Sequence, residues 1–165
     1  MEEQAGSKGK AEEQAERQRE AKMFFGSFEH ALDDKGRIIM PSRFRGKLEE
    51  GVVMARWLEQ CVAVFPRSEF EKMAERIQAL PEGSAEKREF SRVLFGHAYE
   101  AAPDRQGRLT IPPKLREVAG LDRDVEVVGM LNRVEIWDRG RWAESTRGGL
   151  DRFEQTAEKL SELGF

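Results

Sequence analysis

Two arginines stand at the same place in a repeated phrase. Arg37 closes "DDKGR" and Arg108 closes "DRQGR", each four residues after an aspartate and one after a glycine. Arginine stays charged at every physiological pH, and its planar fork can grip a phosphate or the O6/N7 edge of guanine. A single such arginine is ordinarily a solvated surface charge. The same arginine placed beside a turn in both halves of a chain points instead to contact with duplex DNA. Lys35, Arg43 and Arg45 lie near the first copy, and Arg105, Lys114 and Arg116 near the second, as supporting phosphate contacts that would set register. From Asp33 to Arg45 four basic side chains face two acidic ones, and from Asp104 to Arg116 four face one. The chain as a whole carries a net charge of −3, yet a local basic footprint counts for more with a polyanionic partner than the average does. Asp33 and Asp104 are anions and suit a different role, that of capping the turn and orienting the arginine.

The elements that must position these arginines follow from the flanking residues. Asp at the first position and Gly at the fourth of "DDKG" and "DRQG" suit a type I turn closed by a glycine at positive φ, here Gly36 and Gly107. The aspartate can bond backbone N–H groups a few residues on and stiffen the turn. A strand precedes each turn and another follows it, a hairpin in outline. After the turn, Ile38 and Met40 alternate with Arg37 and Ile39, and Leu109 and Ile111 with Arg108 and Thr110, so one face packs inward and the arginine points away from it. Pro41 and Pro112 end the strands and open short helical turns. The repeat runs further than the motif. Asp33 and Asp104, Pro41 and Pro112, and Arg45 and Arg116 are all 71 positions apart, while the closing strands "VAVF" at Val62 and "VEIW" at Val134 are 72 apart. The pattern predicts an α+β chain of two tandem β-rich units, with helices between and after them.

A chain of 165 residues, 39% hydrophobic, has room for one compact body or two small lobes. No apolar run is long enough to cross a bilayer, and the charged N-terminus lacks the apolar core of a secretory signal. Cys61 is the single cysteine; within "CVAVF" it reads as a packed strand residue, and it suits a reducing cytoplasm. One cysteine and two histidines give no zinc-site spacing, and no cofactor or metal is expected. Residues 1–22 hold no large apolar side chain and read as a disordered or fraying extension. The first unit is expected over 27–69, a helical connection over 70–96, the second unit over 98–141 and a C-terminal helix over 142–165. Ser68 with Glu71 has capping-box spacing, and a second helix starts near Ser84 and stops at Gly96. Leu150, Phe153, Ala157 and Leu160 form a last apolar stripe, expected to pack on its own unit or, alternatively, to meet a neighbouring subunit.

Asp-x-x-Gly-Arg followed by a strand and a proline, twice, resembles the paired signature of the MraZ family. The resemblance covers "FFGSFEHALDDKGRIIMPSRFR", "LFGHA", "DRQGRLTIPPKLREVAGL" and "VVGMLNRVEIW", and runs from Met23 into the C-terminal segment. It implies a cytoplasmic, nucleoid-associated bacterial transcription regulator of the AbrB/SpoVT swapped-hairpin fold, its two units forming a pseudo-two-fold barrel. It implies assembly into rings, binding to short direct repeats in a promoter, and repression of its own division and cell-wall gene cluster. The DNA-contacting elements would be Asp33 to Arg37 and Asp104 to Arg108. The competing readings are a ring-forming protein-interaction scaffold that never touches DNA, and a small enzyme using Cys61, His97 or the aspartates. No nucleophile–base arrangement or phosphate-cradling glycine loop is legible to support the enzyme.

Overall fold

The computed structural model of the chain describes Gly9 and residues 23–165. The extension read over 1–22 lies, Gly9 apart, outside the described residues. The strands are β1 (Phe24–Ala31), β2 (Arg37–Ile39), β3 (Val52–Trp57), β4 (Cys61–Pro66), β5 (Tyr99–Ala101), β6 (Arg108–Thr110), β7 (Asp124–Leu131) and β8 (Val134–Asp138). The helices are α1 (Ser42–Arg45), α2 (Arg67–Gln78), α3 (Ala85–Gly96), α4 (Pro113–Val118), α5 (Arg139–Asp151) and α6 (Phe153–Ser161). Six strands form one antiparallel sheet in the order β1-β7-β8-β4-β3-β5, and β2 and β6 form a separate antiparallel ribbon.

That order has a simple property. Exchanging each strand for its counterpart in the other repeat gives the same order read backwards. The first strand of each unit leaves its own unit: β1 pairs with β7 of the second, and β5 pairs with β3 of the first. The closing strands β4 and β8 meet at the centre with Ala63 opposite Glu135, and the ribbon meets with Ile38 opposite Leu109. Both pairs consist of equivalent residues. The pairing also locates the gain in repeat spacing, because Glu29 faces Glu126 while its equivalent Glu100 faces Val53. The second unit is therefore two residues longer before β7 and one shorter in the turn between its last two strands.

Packing explains the strand sequences. Cys61–Pro66 in β4 is buried throughout, as a central strand covered on both faces must be. On one face, Ile38, Met40, Leu109 and Ile111 of the ribbon and Phe44 and Leu115 of α1 and α4 close over Val52, Met54, Val62, Val64, Val125, Val127, Val134 and Ile136. Phe24 and Phe28 meet Phe44 edge to face at 5.4 Å. On the other face, α2 and α3 bring Met73 and Leu94 onto Ala55, Ala63 and Phe65, and Trp142 of α5 packs on Trp137 beside Cys61 and Val128. Cys61 is thus the packed strand residue expected, and desolvation pushes its thiol pKa up, away from reactivity.

Four expectations change. Each motif predicts a hairpin, but β2 pairs with β6 and not with β1. The barrel is not closed: β1 and β5 are the two edges of an open sheet, and the ribbon strands that could have carried it round pair with each other. Ser68 does not cap α2, which begins at Arg67 behind Pro66 without a side-chain cap, whereas Ser84 does cap α3 by accepting from the Lys87 N–H. The C-terminal segment is two helices, divided at Arg152, and Leu150, Phe153 and Leu160 are exposed instead of packing on their own unit. Among the described residues no helix is long and apolar enough to cross a membrane.

Candidate nucleic-acid interface

Each motif builds the same small device. The Asp33 carboxylate accepts from the backbone N–H of Lys35 and of Arg37, both at 2.9 Å, through one oxygen. Its other oxygen accepts from Arg37 Nε at 2.6 Å. Asp104 repeats the arrangement with Gln106 N–H and Arg108 N–H at 2.9 Å and Arg108 Nε at 2.7 Å. The aspartates therefore reach two and four residues on. The backbone N–H of the arginine, more than any other contact, holds each carboxyl below its ordinary pKa, so both are ionised when they grip the guanidinium. Binding through Nε fixes the plane of the fork and leaves its far edge available. Gly36 and Gly107 close the turns at φ 73° and 74°, as their position in the motif demands.

The ribbon joins the two devices. The Gly36 carbonyl accepts from Ile111 N–H at 2.9 Å, and the Gly107 carbonyl accepts from Met40 N–H at 3.2 Å, so each turn is tied to the far end of the other repeat's strand. Between these ties Arg37 faces Thr110 and Ile39 faces Arg108. Ile38 and Leu109 are fully buried beneath. Strand alternation then places Arg37, Ile39, Arg108 and Thr110 together on the outward face of one two-stranded ribbon. The two arginines sit on its diagonal, about 7–8 Å apart at the backbone.

The remaining basic residues divide. Lys35 and Arg105 are exposed at the turn tips, and Lys114 is exposed on α4, within 3.7 Å of Glu117. Arg43 stacks over Phe25 and Phe28, its guanidinium carbon 5.9 and 5.8 Å from the ring centres. Arg45 and Arg116 carry structure as well as charge. Arg45 Nε donates to the Met40 carbonyl at 2.8 Å and Arg116 Nε to the Ile111 carbonyl at 3.1 Å. Each guanidinium then lies against the turn glycine of the opposite repeat, Arg116 over Gly36 and Arg45 over Gly107. Sequence reasoning sets Ile39 and Thr110 on the arginines' face but gives them no role. Their signal is the alternation itself, since they share parity with the arginines.

The same duplication is what comparison with known proteins detects. The model of the family described as "MraZ protein, putative antitoxin-like" matches residues 23–93 and again residues 94–164. The chain belongs to the MraZ family. It is 45% identical over 138 residues to a protein of Clavibacter michiganensis subsp. michiganensis named Transcriptional regulator MraZ, a match covering 84% of this chain and 96% of that one. Proteins of the same name from Moorella thermoacetica and Salinispora tropica are 44% and 46% identical, over 86% and 82% of this chain and 99% and 96% of their own lengths. Membership of the MraZ family makes the chain a transcription regulator and not an enzyme.

Proposed function

We propose that this chain regulates transcription by laying the β2–β6 ribbon in the major groove of double-stranded DNA. One observation carries the reading: the pairing of β2 with β6 gathers both turn-held arginines onto a single outward face. A two-stranded ribbon fits the width of the major groove, and arginine is the commonest reader of guanine there. Arg37 and Arg108 are the base-reading residues. Lys35, Arg105, Arg43, Lys114 and the free edges of Arg45 and Arg116 take phosphates and fix register. Asp33 and Asp104 stay hydrogen-bonded to the arginines and turned from the phosphates.

The wider reading follows the family resemblance. The chain works in the cytoplasm on the nucleoid as a homo-oligomeric ring whose subunits engage short direct repeats upstream of its own division and cell-wall gene cluster, which it represses. The exposed Leu150, Phe153 and Leu160 supply apolar surface for such assembly. The repeats occupy 27–69 and 98–141, with 70–96 joining them and 142–165 following. The same exposed surface would serve a scaffold that never binds DNA, so the deciding measurement is binding itself. Fluorescence anisotropy on a duplex from that upstream region should show affinity falling with salt at a log–log slope near 0.9 per phosphate neutralised. Arg37→Ala and Arg108→Ala should each weaken binding by about 5- to 150-fold, the worth of one bidentate base contact, with melting temperature unchanged. Wild-type affinity in the double variant would remove the ribbon from the interface.

A further inference from the structure

The outward face of the ribbon has a symmetric frame and asymmetric contents. Exchange of the repeats maps Arg37 onto Arg108 and leaves the Ile38–Leu109 pair in place. The same exchange maps Ile39 onto Thr110, and these differ. Ile39 is 47% exposed. It faces Arg108 across the ribbon and follows Arg37 by two residues on its own strand, so both nearest outward neighbours are the proposed base-reading arginines. An apolar side chain so placed belongs to none of the apolar clusters of the described residues, and the charged groups around it argue against a protein partner for that spot.

Resting on the reading of the ribbon given above, we propose that Ile39 is a specificity-determining residue that packs on the 5-methyl group of a thymine and thereby gives each DNA box a direction. The arginines alone, interchanged by the repeat symmetry, would read a box alike on either strand. The thymine methyl is the one apolar feature on the major-groove edge of the base pairs, lying beside the positions where arginine meets guanine. Thr110, shorter and hydroxylated, hydrogen-bonds to either kind of base edge at the equivalent place in the other half of the box. A subunit that distinguishes the two ends of its box can line up with others on repeats in the same orientation. One that cannot would accept inverted and direct repeats equally.

The test uses the full-length chain and a pool of random 20-base-pair duplexes. The wild-type chain selects a consensus, and synthetic copies of it are then made with uracil replacing each thymine in turn, which removes only the methyl group. At one position per box uracil should weaken wild-type binding about fourfold, the worth of burying one methyl group. Ile39→Ser should abolish that sensitivity, and Ile39→Thr, which installs the residue the other repeat already carries and keeps one methyl group, should reduce it. The exchange Ile39→Thr with Thr110→Ile should move it to the mirrored position in the box. A consensus with no uracil-sensitive thymine, or a sensitive thymine indifferent to all three variants, overturns the proposal while leaving the ribbon reading intact. Selection of the same consensus by the Arg37→Ala, Arg108→Ala chain would sink the ribbon reading itself, and this proposal with it.

Discussion

Replacing Gly36 by alanine should damage the protein through the other repeat. The added methyl carbon would sit 2.7 Å from the Arg116 Nε and Cζ atoms, well inside contact distance. At φ 73° an L-residue carries about 1–2 kcal/mol of backbone strain. Arg116 must also swing away, giving up its 3.1 Å bond to the Ile111 carbonyl, which at this half-buried site costs about 1 kcal/mol. The sum, about 2–3 kcal/mol, corresponds to a fall in melting temperature of roughly 4–12 °C for a chain of this size, measured at fixed protein concentration. A double-mutant cycle isolates the mechanism. With Arg116→Ala already in place the steric part vanishes, so the pair should couple by about 1 kcal/mol. The matching pair Gly36→Ala and Arg45→Ala lies within one repeat and should add within roughly 0.3–0.5 kcal/mol. Gly46→Ala, with open space around it and φ −60°, should be neutral or slightly stabilising. Equal coupling to Arg45 and Arg116, or coupling to neither, would refute the cross-repeat contact.

Other outcomes are as specific. Lys87 is buried and donates to the carbonyls of Gln78 and Leu80 and to Glu82, tying off the end of α2 from the next helix; Lys87→Met should cost about 2 kcal/mol, roughly 4–8 °C in a thermal melt, without touching DNA binding. The Asp33 and Asp104 pKa values are depressed, so their hold on the arginines is complete above the ordinary value of 3.8 and is lost as pH falls through the lower folded values. The Arg37 and Arg108 Nε–H resonances should therefore stay put from pH 8 down to about 4 and shift only below it. Cys61 should resist a thiol reagent at neutral pH in the native chain and react at once in denaturant. If successive subunits engage successive repeats, a half-turn insertion of about 5 base pairs between repeats should abolish tight binding and a full turn should restore much of it; affinity indifferent to both would mean that each subunit binds alone.

The turns are legible in the sequence because their chemistry is local. Asp33, Gly36 and Arg37 satisfy one another within five residues, and the alternation after them states which side chains face inward. Pairing is not legible for the same strands. Three residues such as Arg37–Ile39 carry a face but no address, and a strand following a tight turn reads as the partner of the strand before it. What sends β2 to β6 is the burial of Ile38 on Leu109 and the reach of the two glycine carbonyls, contacts between residues far apart in the chain. The roles of Arg45 and Arg116 are hidden likewise, since a surface arginine and one braced over a distant glycine look the same in sequence. Ser84 can be recognised as a cap and Ser68 mistaken for one because the helix start depends on Pro66, the last residue of a buried strand.

The exchange of first strands has a consequence for synthesis. Among the described residues β1, with Phe24 at its start, pairs with β7 alone, which ends at Leu131. At about 5–20 residues per second, a ribosome takes roughly 5–20 seconds to make the intervening chain. Through that interval the eight-residue strand waits for β7, its pairing partner among the described residues. On a polysome, sister chains at the same stage hold identical unpaired strands close together, and a strand that lends itself to another repeat can lend itself to another chain. Joining both repeats in one polypeptide keeps the correct partner at high local concentration, so the duplication acts as a guard against entanglement between nascent copies as well as a way of presenting two arginines.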